Sequence, residues 1–114
     1  MSKQKYLGEF EQTVMLALLK SGNRAYGAMI RSVLLTTIER DVAIGALYST
    51  MDRLEKKGLV YSELGEPTAA RGGRAKRFFH VTTEGEHALA RSLDAMKKMW
   101  DGVELNTNTV SFND

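Results

Sequence analysis

Four basic side chains with no acid among them, Arg71, Arg74, Lys76 and Arg77, surround Gly72 and Gly73 in the stretch "PTAARGGRAKRFFHV". Glycines let a loop turn tightly without side-chain bulk, and guanidinium and ammonium groups bind phosphate oxygens. The chemistry on offer is docking onto a polyanionic backbone rather than bond making. Four such contacts would contribute a salt slope of roughly −3 to −4. They would position the chain on a duplex while carrying little sequence information.

A second set lies at helical spacing a little upstream. If Leu47, Met51 and Leu54 face inward, then Tyr48, Ser49, Asp52, Arg53 and Lys56 fall on the outside, with Thr50 and Lys57 at the margins. Arg53 and Lys56 can neutralise phosphates or reach guanine edges, Ser49 and Thr50 can donate to phosphate or base, and Tyr48 can stack or hydrogen-bond. Gly45, near the start of that helix, would let a phosphate approach the free backbone amides. Both sets also have a plain reading, a solvated helix face and a solvated basic loop, and Asp52 counts towards it.

Charge distribution supports a partner. The net charge is only +2, but Arg53 to Arg77 hold seven basic residues against three acidic, leaving nine basic against eleven acidic elsewhere. Enzyme readings find little: His80 and His87 have no neighbours arranged as a triad, and Glu84, Glu86 and His87 do not form HExxH. The chain has no cysteine and no GxGxxG or Walker pattern, so neither a metal nor a cofactor is expected. No apolar run approaches the roughly 20 residues of a membrane span, and the amino terminus lacks a signal-peptide core. The expectation is a cytoplasmic protein.

The elements that must position these residues follow from periodicity. Residues 9 to 20 carry Phe10, Val14, Ala17 and Leu18 at helical spacing, with Met15, Leu16 and Leu19 widening the apolar surface, and "SGN" stops the helix. Tyr26, Met29, Ile30, Val33 and Leu34 predict a second helix ending near Thr37. A third runs from about Ala43 to Lys57, ended by Gly58, with Leu59 placed for a Schellman contact back to Leu54. Val60 to Leu64 and Lys76 to Val81 read as the strands of a hairpin, one of the two phenylalanines facing the core, with Pro67 in the connecting loop.

Thr82 or Thr83 offers an N-cap, and the Thr83/Glu86 spacing fits a capping box, for a last helix to about Val103. Leu89, Leu93, Met96, Trp100 and Val103 recur at 4, 3, 4, 3, the a/d pattern of a helix packing along a partner. A homodimer built on that seam would present two recognition helices about one DNA turn, ~34 Å, apart. Met96 and Trp100 near the two-fold axis could line a pocket for a flat ligand. The tail from residue 105 lacks such a period and is expected to be disordered. The fold class is therefore mainly α with a two-stranded β-hairpin: a winged helix-turn-helix over residues 1–81, whose third helix enters the major groove, then a C-terminal dimerisation helix over 82–104.

"LGEFEQTVMLALL", "AYGAMIR", "AIGALYSTMDRLEKKGLV", "GEPTAARGGRAKRFFHVTTEGEHAL" and "MKKMWDGV" together resemble the PadR-like family of bacterial transcriptional regulators, in its small subclass. The resemblance runs from about Leu7 to Val103. It implies a homodimeric winged-helix repressor of a pseudo-palindromic operator in double-stranded DNA. It implies recognition-helix roles for Tyr48, Ser49, Thr50 and Arg53, Tyr26 and Gly27 as the start of the second helix, and Arg71, Gly72, Gly73, Arg74 and Lys76 as wing. It further implies a dimer interface on the last helix aided by the first, hence Phe10, and a small aromatic effector held between subunits near Trp100. The alternative is a winged-helix protein-interaction module binding an acidic partner protein. A weaker one is a ligand-binding dimer without DNA binding.

Overall fold

The computed structural model describes residues 6–66 and 75–107. Its elements run α1 (Glu9–Lys20), α2 (Gly27–Ile38), α3 (Ile44–Lys56), β1 (Val60–Leu64), β2 (Arg77–Val81) and α4 (Thr83–Trp100). The wing tip, with Pro67, Arg71, Gly72, Gly73 and Arg74, lies outside the described residues, as does the end of the chain from 108 onwards.

Three helices close around one core because each has an apolar stripe. Val14, Met15 and Leu18 of α1, Ile30 of α2 and Leu47, Met51 and Leu54 of α3 meet Phe79 of β2, all essentially without solvent contact. Phe79 is thus the inward phenylalanine of the hairpin, and Phe78 stays half-buried on the other side. The antiparallel register pairs Val60 with Val81 and Leu64 with Arg77. A further backbone bridge joins Ala25, before α2, to Phe79 through Ala25 N–H to Phe79 O (3.3 Å) and Phe79 N–H to Ala25 O (2.8 Å). The Asn23 side chain extends that junction, its Oδ1 accepting from Val81 N–H at 2.7 Å. The hairpin is in this way tied to the turn after α1.

Helix ends follow local chemistry. Gly58, with φ 77°, closes α3 as a Schellman motif: Leu59 N–H donates to Leu54 O and Gly58 N–H to Glu55 O, both at 3.0 Å. Gly22, φ 85°, closes α1 similarly. The first turn of α1 is held by Glu11, whose Oε1 accepts from Gly8 N–H at 3.0 Å while Oε2 accepts from Lys57 at 3.1 Å.

Two expectations for the last helix need correction. The N-cap of α4 is Thr82, whose hydroxyl accepts from Gly85 N–H at 2.9 Å and donates to Gly58 O at 2.8 Å, so Thr83 is the first helical residue and no Thr83/Glu86 box forms. The third position then falls to Gly85, which packs under the Leu59 carbonyl where a side chain has no room. The helix also stops at Trp100 instead of Val103, because Asp101 turns extended and Gly102 takes φ 81°.

The apolar seam of α4 divides. Leu89, together with Gly85, Ala88 and Ser92, is buried in the chain's own core, and Ser92 accepts from Leu7 N–H at 2.8 Å. Leu89 is therefore not free to face a second subunit. Beyond it the core ends, and Leu93 (41% exposed) and Met96 (58%) stand out with Met99. Phe10 is half-buried against the core, with the Arg40 guanidinium 4.9 Å above its ring. Among the described residues no helix is long and apolar enough to cross a membrane.

Candidate nucleic-acid interface

The exposed face of α3 is built by its inward stripe. With Leu47, Met51 and Leu54 turned in, Gly45, Ser49, Asp52, Arg53 and Lys56 are solvent-exposed. Three of the expected contacts sit differently. Thr50 is buried at 2% exposure, its Oγ1 accepting from Arg53 Nη2 at 3.2 Å, because its position falls on the margin that closes against the core. Lys57 is turned back to Glu11 of α1 and belongs to the rear of the helix. Tyr48 is half-buried, its ring 5.9 Å from that of Phe79 and its hydroxyl over Gly27 at the start of α2. Arg53 is exposed beside Thr50, and its charge is felt by Glu11 of α1.

The four-cation cluster separates as well. Arg77 points back along β2 onto α3: Nη2 donates to Glu55 Oε1 at 2.8 Å and to Asp52 Oδ1 at 3.1 Å, and Nε donates to Ser62 Oγ at 3.2 Å. The guanidinium also lies 4.7 Å from the Phe79 ring. Partial burial works against its charge, but the hydrogen bonds and charges of Asp52 and Glu55 outweigh this and hold Arg77 above its ordinary value. One of the four positive charges thus compensates two carboxylates of α3. Sequence reasoning missed that relationship, since nothing in the spacing of residues 52 and 77 signals it.

Lys76, beside it, points the other way and places its ammonium 4.5 Å from the Tyr26 ring. Tyr26 in turn meets Phe78 edge-on at 5.5 Å, and Arg24 covers Phe78 at 3.8 Å. Tyr26, Arg31, Ile44, Tyr48, Lys76 and Arg77 line an open cleft of about 650 Å³ between the starts of α2 and α3 and the hairpin. Its lining combines three cations with two tyrosines, and its Ile44 and Tyr48 belong to the same helix as the exposed row Gly45, Ser49, Asp52 and Lys56. Arg31 is paired with Asp41 at 3.3 Å. The arrangement can cradle a phosphodiester backbone beside a helix whose face carries donors and acceptors for base edges.

His80 has a structural role: its ring stacks on Tyr61 at 4.6 Å while Nδ1 meets Asn23 O and Nε2 meets Glu63. Among the described residues no group of His, Cys, Asp or Glu could hold a metal ion.

A sequence model of the transcriptional regulator PadR-like family matches residues 15–91, about two thirds of the chain. The chain belongs to the PadR-like family. Two solved members resemble this PadR-like protein closely in shape. A PadR-like transcription factor from Bacteroides fragilis has a TM-score of 0.70 at 28% identity, over 82% of this chain and 85% of that one. A PadR family regulator from Eggerthella lenta has a TM-score of 0.66 at 27% identity, over 83% and 82%. F93 from STIV, a winged-helix DNA-binding protein, shares the fold at 20% identity, with a TM-score of 0.67 over 82% and 94%. No curated protein sequence matches the chain. PadR-like proteins are winged-helix, DNA-binding transcriptional regulators and not enzymes.

Of the two expected ligand residues, only Met96 lines the groove beside the start of α1 in this PadR-like chain. Met96 lines a groove of about 500 Å³ with Tyr6, Leu7, Gln12, Ala95 and Met99, between α4 and the segment before α1. Trp100, half-buried at the end of α4, is not part of its lining.

Proposed function

We propose that this PadR-like protein is a homodimeric, cytoplasmic repressor that places α3 of each subunit in the major groove of a pseudo-palindromic operator and lays the hairpin on the flanking backbone. The observation that carries this reading is one cleft lined both by Ile44 and Tyr48 of α3 and by Lys76 of the hairpin, on a helix that exposes Gly45, Ser49 and Lys56. Arg53 and the cleft residue Tyr26 add backbone contacts, and Arg71, Gly72, Gly73 and Arg74 act as the wing. Residues 1–81 act as the DNA-binding unit and 82–104, which contain α4, as the dimerisation segment. The seam that does the pairing is Leu93, Met96, Trp100 and Val103, with Phe10 and α1 beside it. Exposed Met99 extends that seam. A flat aromatic ligand bound between the two Met96 and Trp100 sets would change the spacing of the recognition helices and hence operator affinity.

Fluorescence anisotropy on a labelled duplex from upstream of the protein's own gene, against a shuffled duplex at several salt concentrations, tests this directly. Preference for the native duplex by about 10³-fold or more is expected of a specific regulator. Equal and steeply salt-dependent binding to both would count against an operator there and favour docking to an acidic protein.

A further inference from the structure

Asp52 is the one carboxylate on the exposed row of α3, where a bare negative charge would repel the phosphates that the rest of the surface is suited to bind. Two of its features point away from a bystander. Its Oδ1 is held by Arg77 Nη2 at 3.1 Å, and that guanidinium is itself fixed by Glu55, Ser62 and the Phe79 ring. The side chain nevertheless stays 56% exposed, and among the described residues Oδ2 has no hydrogen-bond partner. The charge is compensated through one carboxylate oxygen, and the other is left as an acceptor on a largely exposed side chain.

We infer that Asp52 reads a cytosine in each operator half-site, with Arg77 as the positioning residue that compensates and aims its carboxylate. The inference rests on the placement of α3 in the major groove proposed above. The groove presents only two amino donors, cytosine N4 and adenine N6. Adenine N6 is flanked by acceptors on both sides, its own N7 and O4 of the paired thymine, whose lone pairs oppose a carboxylate, whereas cytosine N4 has its own C5–H on one side and meets an acceptor, guanine O6, only on the other. An ionised carboxylate is acceptor-only, so it selects cytosine over the other three bases at the position it reaches. Asp52 lies two turns after Gly45 and one after Ser49 on the same face, so the same docking that brings those residues to the duplex brings it too. Arg77 does not leave for a phosphate in this arrangement, since doing so would expose Asp52 and Glu55 together to the DNA.

Selection from a duplex library randomised over the half-site, with the full-length protein and its D52N, D52A and R77M variants, tests the assignment. Wild type is expected to enrich C·G at one position per half-site. Asp52→Ala removes the preference at that position alone, by about 5- to 150-fold, which is the range for one mismatched pair. Asp52→Asn shifts it to A·T, because an amide can donate to N7 while accepting from N6. Arg77→Met weakens discrimination at the same position, adds no further loss there on top of D52A, and leaves the salt slope unchanged. A purely structural role for Arg77 would lower affinity without being erased at that one position by D52A.

Tighter binding of D52A to all duplexes, with every preference retained, would overturn the inference by showing that Asp52 only repels. So would a salt slope about one unit shallower in R77M, the sign of a lost phosphate contact. Failure of wild type to enrich any sequence would instead overturn the operator reading itself, and this inference with it.

Discussion

Gly27, the first residue of α2, lies against the Tyr48 hydroxyl of α3 so closely that a Cβ there would stand 2.6 Å from the phenolic oxygen and 2.9 Å from Cζ. Ile44 Cδ1 would be 3.2 Å away on the other side. The absence of a side chain at residue 27 therefore sets how near the second and third helices approach. Gly27→Ala should cost about 1–3 kcal/mol of stability through overpacking, and weaken DNA binding by displacing α3. Urea denaturation checks the first, and G27A/Y48F, which lacks the clashing oxygen, should recover part of both losses. No recovery would mean that the clash lies with the ring carbon Cζ, which Y48F retains, or with Ile44.

Gly45 is the opposite case. Nothing lies within 4 Å of a Cβ built there, in the first turn of α3. Gly45→Ala should stabilise the fold by about 0.5–1 kcal/mol through reduced chain entropy. The same methyl should lower DNA affinity if a phosphate sits on those amides. A variant that gains stability and keeps full affinity would remove Gly45 from the interface.

Acid should unfold the protein through α1. Burial works against ionisation of Glu11, but the Gly8 amide, Lys57 and Arg53 outweigh it and hold the carboxyl below its ordinary 4.5. The hydrogen bond from Arg40 does the same for Glu9, against a smaller opposing effect of burial and with help from Thr13. Both groups titrate lower folded than unfolded, so their contribution is complete above about pH 4.5 and is lost as pH falls through the folded values. Urea midpoints should hold steady from pH 7 to about 5 and drop below 4.5. Glu11→Gln should flatten that drop at the expense of stability at neutral pH.

Lys76 lines the cleft beside Tyr26. Removing one phosphate contact should lower affinity for every sequence and reduce the salt slope by about one unit. Lys76→Ala and Arg74→Ala are each expected to do this, read by anisotropy titrations at several salt concentrations. An unchanged slope in either would take that residue off the backbone.

Met96, 58% exposed, lies on the part of α4 that extends beyond the core. Met96→Glu should give a monomer in sedimentation velocity at concentrations where wild type is a dimer. Its melting temperature as a monomer should be little affected, since the side chain contributes little to the chain's own packing. A dimer that persists would move the interface off this face.

Much of the fold was legible from local pattern. The bounds of α1, the stop at Gly58 with Leu59 behind it, the two strands and the inward phenylalanine all follow from periodicity and turn chemistry, which depend on neighbours a few residues away. The exposed members of the third helix, Gly45, Ser49, Arg53 and Lys56, were legible for the same reason. The misplacements share one cause. Leu89 fits a heptad seam, yet the packing of α4 against α1 and β2 buries it and leaves Leu93 outside. Thr50 stood at a margin that only the closure of the core could assign.

Charge partners were the least legible. Lys57 finds Glu11 across 46 residues, and Arg77 finds Asp52 across 25 and Glu55 across 22. Sequence alone determined that this chain is a three-helix core with a basic hairpin, and that its cations gather on one segment, because side-chain type and period act locally. Only the tertiary structure decided which cations face outward and which compensate an acid, because electrostatic pairing depends on distance in space, and that distance is set when the hairpin folds back against α3.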